Sequence, residues 1–170
     1  MNSNIIEINK QARLSQHFTL GELCKTSVKT ADGNIPSRVN IENLKRVCSW
    51  LERLRQKWNE RYGSLTPNPS PKGEGNSDDP IVINSGYRSE AVNKAVGGAK
   101  GSNHLTGCAV DIRCAGIEQA LRYATTLLDI SDESGEDFDE LLIEKSAKSI
   151  WVHFAVRPEG NRMKIRFIQT

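Results

Sequence analysis

The chain has 170 residues, which is enough for one hydrophobic core and too short for two comfortable domains. Its formal net charge of +2 is too small to indicate nucleic-acid binding, and no basic cluster is interleaved with aromatic residues. No apolar run approaches the roughly 20 residues of a membrane helix, and the N-terminal sequence lacks the pattern of a secretory signal. We therefore expect a monomer that is made in the cytoplasm and binds neither nucleic acid nor membrane.

Two helices are predicted in the first third of the chain. Thr19 and Glu22 have the spacing of a capping box, which predicts a short helix starting near Leu20. A long helix is predicted between Ile35 and Gly63, because apolar residues recur at helical spacing and glycine commonly follows a helix end. The apolar stripe of this helix consists of Leu44, Val47, Cys48, Leu51, Leu54 and Trp58.

Residues 64–80 differ in composition from the rest of the chain. Pro, Gly, Ser and Asn dominate this stretch, and it has no hydrophobic periodicity from which a core could be built. We interpret it as a flexible surface loop inserted into a single domain spanning residues 1–170. The sequence before it is too short to form a domain alone.

The second half of the chain is predicted to be rich in short strands. Runs of alternating or continuous apolar residues bounded by turn-forming residues predict them. The predicted strands are Ile81–Ile83, which ends in a turn at 84–86, then Cys108–Arg113, Leu141–Ile143, Trp151–Val156 and Met163–Ile168, the last two forming a hairpin.

Two further helices and an acidic loop are predicted between these strands. Ser89 can cap a helix that ends at Val96. A helix from Gly116 to about Ile130 is indicated by an apolar face, and residues 131–140 are predicted to be a solvated acidic loop. That face consists of Ile117, Leu121, Ala124 and Leu128, and Phe138 is the expected anchor of the loop. The pattern predicts an α+β fold with a small, mostly antiparallel sheet and flanking helices.

His104, Asp111 and His153 are candidate ligands of one metal ion. Imidazole and carboxylate groups suit zinc, and a catalytic zinc site combines three such ligands with an open position. The H-x6-D spacing alone is weak: a capping aspartate, a loop histidine and a half-buried strand histidine would give the same pattern. Cys108 and Cys114 flank Asp111, but their C-x5-C spacing is not typical of structural zinc sites.

Three more residues could complete a site for hydrolysis around this metal. Glu144, on the strand before the one that carries His153, is a candidate base for water. Arg88 is a candidate cation for a substrate carboxylate or a developing oxyanion, because a guanidinium binds such groups with two hydrogen bonds. Ser102 could donate a further hydrogen bond to the substrate.

Several motifs together resemble one family of zinc metallopeptidases, which includes D-alanyl-D-alanine carboxypeptidases and phage L-alanyl-D-glutamate endolysins. The motifs are S-G-Y-R-S at 85–89, V-G-G-A-K-G-S-N-H-L-T-G-C-A-V-D-I at 96–112 and W-V-H at 151–153. They are most similar to the carboxypeptidase branch of that family. The resemblance extends from F-T-L-G-E-L at 18–23 to F-D-E-L-L-I-E at 138–144, with residues 64–80 as an insertion.

The resemblance implies a fold like that of D-Ala-D-Ala peptidases and Hedgehog signalling domains. It also implies one Zn²⁺ ion held by the three candidate ligands, with Arg88 and Ser102 binding a peptidoglycan stem peptide whose amide bond is hydrolysed. Several family members carry an acidic residue three positions before the last histidine, and here that position is Ile150. Glu144 is therefore the expected base, with Asp139 as a weaker alternative.

Two alternatives to this peptidase remain open. A non-catalytic, zinc-containing binding module of the same fold is suggested by Hedgehog domains and by the absence of an acidic residue at position 150. The second alternative is a non-catalytic scaffold that binds no metal. For a peptidase, the missing signal sequence suggests a phage- or prophage-type lysin that reaches the cell wall through a separately made pore.

Overall fold

The computed structural model describes residues 9–62 and 80–169. The predicted helix end at Gly63 and almost all of the predicted loop at 64–80 lie outside the described residues. The helices are α1 (Leu20–Leu23), α2 (Arg38–Tyr62), α3 (Glu90–Ala95) and α4 (Ile117–Ser134), with a 3-10 turn at Asn103–Thr106. The strands are β1 (Ile83–Ser85), β2 (Ala109–Cys114), β3 (Glu140–Lys145), β4 (Ile150–Ala155) and β5 (Lys164–Gln169). The predicted α+β class is confirmed.

The five strands form one sheet in the order β1-β2-β4-β3-β5. Every neighbouring pair is antiparallel except β3 and β5, which are parallel, so the prediction of a mostly antiparallel sheet is confirmed. The predicted hairpin between the last two strands is wrong. β2 and β3 occupy both edges of β4, so β5 cannot pair with β4. It pairs instead with the free edge of β3.

The first strand begins two residues later than the sequence pattern predicted. Ile81 is buried in the core, whereas Asn84 and Ser85, predicted as turn residues, belong to β1. Pairing of Ser85 with Asp111 on β2 overrides the turn preference of the local sequence. This pairing brings Ser85 beside a candidate metal ligand.

Local hydrogen bonds fix the starts of the first two helices. The Thr19 hydroxyl accepts from the Glu22 backbone, and the Glu22 carboxylate accepts from the Thr19 backbone at 2.8 Å, so the predicted capping box is confirmed. The Ser37 hydroxyl accepts from the Asn40 backbone at 3.2 Å at the start of α2. All six residues of the predicted α2 stripe are buried.

The predicted apolar face of α4 is only partly correct. Ile117 and Leu121 are 49% and 51% exposed, whereas Tyr123, Leu127 and Ile130 are buried. The true stripe is rotated toward Ala120, because that setting places the larger aromatic and aliphatic side chains against α2 and the sheet.

The acidic stretch after Ile130 is not simply a solvated loop. Its first four residues continue α4 to Ser134. Acidic side chains of this region face the basic face of α2, because the two helices pack together. The ion pairs are Arg53–Glu136, Lys57–Glu133 and Arg61–Asp129.

The hydrophobic core lies between helices α2 and α4 and one face of the sheet. At its centre Trp50 contacts Phe154 and Phe138, with ring centroids 5.1 and 6.5 Å apart. Phe138 is completely buried, as predicted for an anchor. Among the described residues, no helix combines the length and apolar character needed to cross a lipid bilayer. Because the strands alternate, the opposite sheet face is left to display polar side chains.

Candidate metal centre

Strand pairing places two of the three candidate ligands side by side. Asp111 on β2 is directly paired with His153 on β4. Their apolar neighbours Val110, Ile112 and Val152 are in the core, so both ligands lie on the opposite face of the sheet. The predicted alternation on both strands is therefore confirmed.

The third candidate, His104, reaches the same point from the 3-10 turn. Its Nε2 lies 3.2 Å from Asp111 Oδ1, and His153 Nδ1 lies 3.0 Å from the same oxygen. The three donor atoms lie within 4.8 Å of one another, and all three residues are buried. Ligand atoms around a tetrahedral zinc ion at about 2.1 Å stand roughly 3.4 Å apart, so the separations of 3.2 and 3.0 Å are close to those that such an ion requires.

Backbone contacts fix the orientation of His104. Its Nδ1 lies 2.6 Å from the Gly86 carbonyl oxygen. Because a carbonyl can only accept, Nδ1 carries the proton and Nε2 is the unprotonated nitrogen in the neutral ring. The His104 carbonyl in turn accepts from the Arg88 backbone at 3.0 Å, and the Ser102 hydroxyl accepts from the His104 backbone at 3.3 Å. Ser102 thus caps the 3-10 turn that carries the candidate ligand.

Arg88 contacts the candidate centre directly. Its Nη2 donates to Asp111 Oδ2 at 2.5 Å, and its Nε donates to Ser85 Oγ at 2.8 Å. The guanidinium therefore holds the carboxylate oxygen that does not face the imidazoles. Nη1 makes no hydrogen bond within the described parts of the chain.

The electrostatics of the site favour a charged carboxylate. Burial alone would raise the pKa of Asp111, but His104 and His153 outweigh burial and hold this pKa well below its usual range. Burial opposes a charged His153 ring, yet the Asp111 and Glu140 carboxylates raise the pKa of His153 above its usual value. A bound cation would take the place of a proton at this ring.

Glu144 lies on the same sheet face as the candidate ligands. It is paired with Trp151, and Leu142, two residues before it, is paired with His153. Burial, as the largest cause, raises the pKa of Glu144, whereas a hydrogen bond with Trp151 and the charge of His153 act in the opposite direction. A buried carboxyl with a raised pKa is a candidate proton acceptor.

Asp139, the weaker candidate base, is engaged in ion pairs. Arg162 binds both of its carboxylate oxygens, at 2.8 and 2.7 Å, and Arg157 Nε lies 3.1 Å from Oδ2. Asn103 donates to Oδ2 at 2.7 Å. These bonds occupy the completely buried carboxylate, which joins the 3-10 turn to the segment before β5.

Two aromatic residues and two cysteines also lie near the candidate site residues in the sequence. Tyr87 is buried in the core, and the half-buried Trp151 lies beside Glu144 on the site face. Cys108 and Cys114 are free, buried thiols and are not part of the candidate metal group. Burial raises the pKa of both thiols, which disfavours the thiolate that a metal would require.

Two polar residues close to the centre were not predicted from the sequence. Glu140 Oε2 lies 3.5 Å from His153 Nε2, and Asn103 donates to both Asp139 and Glu140. Glu140 was overlooked because the strand was predicted to begin at Leu141. The period-2 alternation through Leu142 and Glu144 could have placed it on the site face.

A buried His–Asp–His group on the open face of an antiparallel sheet is a ligand set of the kind used by metallopeptidases. Residues 72–152 match the model of the family described as peptidase M15. The match covers a little under half of the chain and contains Arg88, His104, Asp111 and Glu144, ending one residue before His153. A comparison with curated proteins found no significant match.

Proposed function

We propose that this chain is a zinc-dependent peptidase that hydrolyses amide bonds in peptidoglycan stem peptides. The observation that carries the proposal is the convergence of His104, Asp111 and His153 on one point, in a chain whose residues 72–152 match the peptidase M15 family. A D-Ala-D-Ala carboxypeptidase and an L-Ala-D-Glu endopeptidase are the two forms of this activity. A single zinc ion held by the three residues would supply a polarising Lewis acid and a water of lowered pKa.

The surrounding residues can perform the remaining steps of hydrolysis. Glu144 accepts a proton from the attacking water and returns it to the leaving amine. Its burial and its position on the site face support this role. Arg88 holds Asp111 and presents Nη1 to the substrate carbonyl or carboxylate. The Ser102 role in substrate binding is supported only by its place beside His104.

The position of Ile150 also favours Glu144 as the base. Ile150 is part of the hydrophobic core and is paired with Cys114 and Lys145. It lies three positions before His153, an odd offset, and is therefore on the opposite face of β4. An acidic residue on this face of the strand would point toward the core, which supports a base supplied by another element.

The proposal is tested by digesting purified stem peptides with zinc-loaded protein and identifying the products by mass spectrometry. Loss of D-alanine indicates a carboxypeptidase, and separation of L-Ala from D-Glu indicates an endopeptidase. We expect Glu144→Gln to lower kcat by at least about 100-fold while zinc binding is retained, because general base catalysis contributes ~10²–10⁴-fold. Glu60→Gln, on the exposed surface of α2, is the matched control and should leave the rate unchanged.

The non-catalytic binding module is the second candidate, supported by the apolar residue at position 150. It predicts that the protein binds zinc and stem peptides but releases no product. Intact stem peptides after prolonged incubation with zinc-loaded protein would replace the peptidase proposal with this one. Absence of bound zinc in protein prepared without chelators would contradict both.

A further inference from the structure

We propose that Glu140 is a positioning residue for the metal centre: it accepts a hydrogen bond from Nε2–H of His153 and thereby fixes Nδ1 as the ligand nitrogen. This inference rests on the proposed metal site and extends it to a residue that does not itself bind the metal. Three features of the structure support it: the nitrogen of the His153 ring that faces the other ligands, the position of Glu140, and the contacts that hold Glu140.

The His153 ring presents Nδ1 to Asp111. Nδ1 lies 3.0 Å from Asp111 Oδ1, on the side from which His104 Nε2 also approaches. If Nδ1 binds a cation, the one proton of the neutral ring must be on Nε2. Nε2 is buried and makes no hydrogen bond of good geometry within the described residues. A buried N–H group requires an acceptor, so this atom needs a partner.

The second feature is that Glu140 is placed to be that partner. Its Oε2 lies 3.5 Å from His153 Nε2. Glu140 is paired with Ala155, two residues beyond His153 on β4, and therefore lies on the same sheet face. The separation is slightly longer than a typical N–H···O hydrogen bond of about 3 Å, so a small side-chain rotation is enough to complete it.

The third feature is that other residues orient the Glu140 carboxylate. Lys164 Nζ donates to Oε1 at 2.8 Å, and Arg162 Nη2 lies 3.1 Å from the same oxygen. Asn103 Nδ2 donates to Oε2 at 3.1 Å. Because the two cations both bind Oε1, Oε2 is directed toward His153. The parallel pairing of β3 with β5 brings Lys164 beside Glu140, so the edge strand supports the centre.

In each imidazole of the site, the N–H group that does not face the metal then has a hydrogen-bond acceptor. His104 uses the backbone carbonyl of Gly86, and His153 uses the carboxylate of Glu140. Metal-binding histidines commonly donate their second N–H to such acceptors, and loss of the acceptor typically lowers metal affinity by about 10- to 100-fold. A carboxylate partner also makes the ring a more basic ligand.

The test compares zinc affinity among three variants by competition with a chromophoric chelator. Glu140→Ala removes the acceptor, and we expect a loss in affinity of about 10- to 100-fold. Glu140→Gln retains an uncharged acceptor oxygen and should lose less. Lys164→Met removes one of the three groups that hold the carboxylate but leaves Arg162 on Oε1 and Asn103 on Oε2, so its loss should be smaller, below about threefold. Thermal unfolding of each variant verifies that it is folded, and if Glu140→Ala is not, Glu140→Gln carries the comparison.

A spectroscopic measurement separates positioning from a purely structural ion pair. Long-range ¹⁵N correlation of the histidine rings in zinc-loaded protein should show Nε2–H on His153, with its proton shift moved upfield in Glu140→Ala. The absorption of the Co²⁺-loaded protein should change more in Glu140→Ala than in Lys164→Met.

The outcomes distinguish this inference from the proposed function. Equal zinc affinity of wild type and Glu140→Ala, or an equal loss in Glu140→Ala and Lys164→Met, would overturn the role of Glu140. The metal centre itself would stand in that case, provided that His104→Ala abolishes zinc binding. If the wild-type protein binds no zinc, both fail.

Discussion

At the scale of single residues, the candidate centre depends on one close approach of two backbone segments. Gly86 accepts from His104 Nδ1, and the next residue, Tyr87, donates its backbone N–H to the Leu23 carbonyl at 2.7 Å. A Cβ atom at Gly86 would lie 2.3 Å from the Leu23 oxygen, which is backbone and cannot rotate away. The orientation of His104 is thus coupled to the end of α1.

We therefore predict that Gly86→Ala weakens both the fold and the metal site. The clash should lower the free energy of unfolding by about 3 kcal/mol, because overpacking against backbone displaces one of the two segments. Displacement of the Gly86 carbonyl should also reduce zinc affinity. Urea-induced unfolding of the zinc-free protein and chelator competition measure the two effects separately.

Gly101→Ala is the matched control for this prediction. Gly101 lies in the loop between α3 and the 3-10 turn, has no heavy atom within 4 Å of an added Cβ, and does not adopt a positive φ. We expect its stability and zinc affinity to remain close to wild type. If Gly86→Ala behaves like Gly101→Ala, the close approach at Leu23 does not constrain the site.

The sequence was sufficient to identify the three candidate ligands but not the residues around them. Asp111 and His153 follow the strand alternation that local sequence encodes, and the glycine-rich segment before His104 carries a family motif. The contacts of Glu140 depend on Lys164 and Arg162, more than twenty residues away, through a parallel strand pairing. No local sequence pattern specifies which strand pairs with the free edge of β3. The sequence predicted a hairpin of the last two strands instead.

At the scale of elements, helix positions were predicted better than helix orientations. The α4 region has apolar residues on more than one side, and periodicity alone selected Ile117 and Leu121. Burial of Tyr123 and Leu127 is decided by packing against α2 and the sheet, which sequence periodicity does not contain. The α2 stripe was predicted correctly because charged residues separate its apolar positions on every turn.

The segment before α1 is attached to α2 through one carboxylate. Glu52 accepts from the Ser15 hydroxyl at 2.6 Å and the His17 backbone at 2.7 Å, and its second oxygen lies 2.6 Å from His17 Nδ1. Burial alone would raise the pKa of Glu52, but these hydrogen bonds outweigh it and lower the pKa. Since Glu52 is partly exposed, the net contribution should be modest.

We predict that Glu52→Gln lowers the free energy of unfolding by about 1 kcal/mol at pH 7. The folded-state pKa lies below the unfolded value of about 4.3, so the stabilisation is present above pH ~4.3 and is lost as pH falls through the folded-state pKa. Urea-induced unfolding at a series of pH values should show the difference between wild type and variant shrinking below that point. A deficit of equal size at all pH values would indicate lost packing and not lost charge.

At the scale of the whole molecule, the two faces of the sheet differ: one packs in the core and the other carries the candidate site. One face contacts α2 and α4 through the apolar core, and the other displays Asp111, His153 and Glu144. The candidate ligands come from three separate elements, the 3-10 turn, β2 and β4. A metal ion bound by all three would join elements that are distant in sequence, and the unfolded chain has no such preformed site.

Removal of the metal should therefore lower the stability of the entire protein. A ligand at 1,000 times its dissociation constant stabilises the folded state by about 4 kcal/mol. For a protein of this size, that free energy corresponds to a change in Tm of roughly 8–16 °C. We predict a decrease of this order when zinc-loaded protein is treated with excess EDTA, followed by thermal unfolding, and recovery when zinc is added in excess over the chelator.

Asp111→Asn is the control for this last prediction. The amide has nearly the same shape as the carboxylate but lacks the charge that both imidazoles and Arg88 contact. The variant should unfold at the same temperature with and without EDTA, because it no longer holds the ion tightly. If EDTA lowers the Tm of Asp111→Asn as much as that of wild type, the stabilising metal is bound elsewhere. Only a shift confined to the wild-type protein ties global stability to the centre formed by His104, Asp111 and His153.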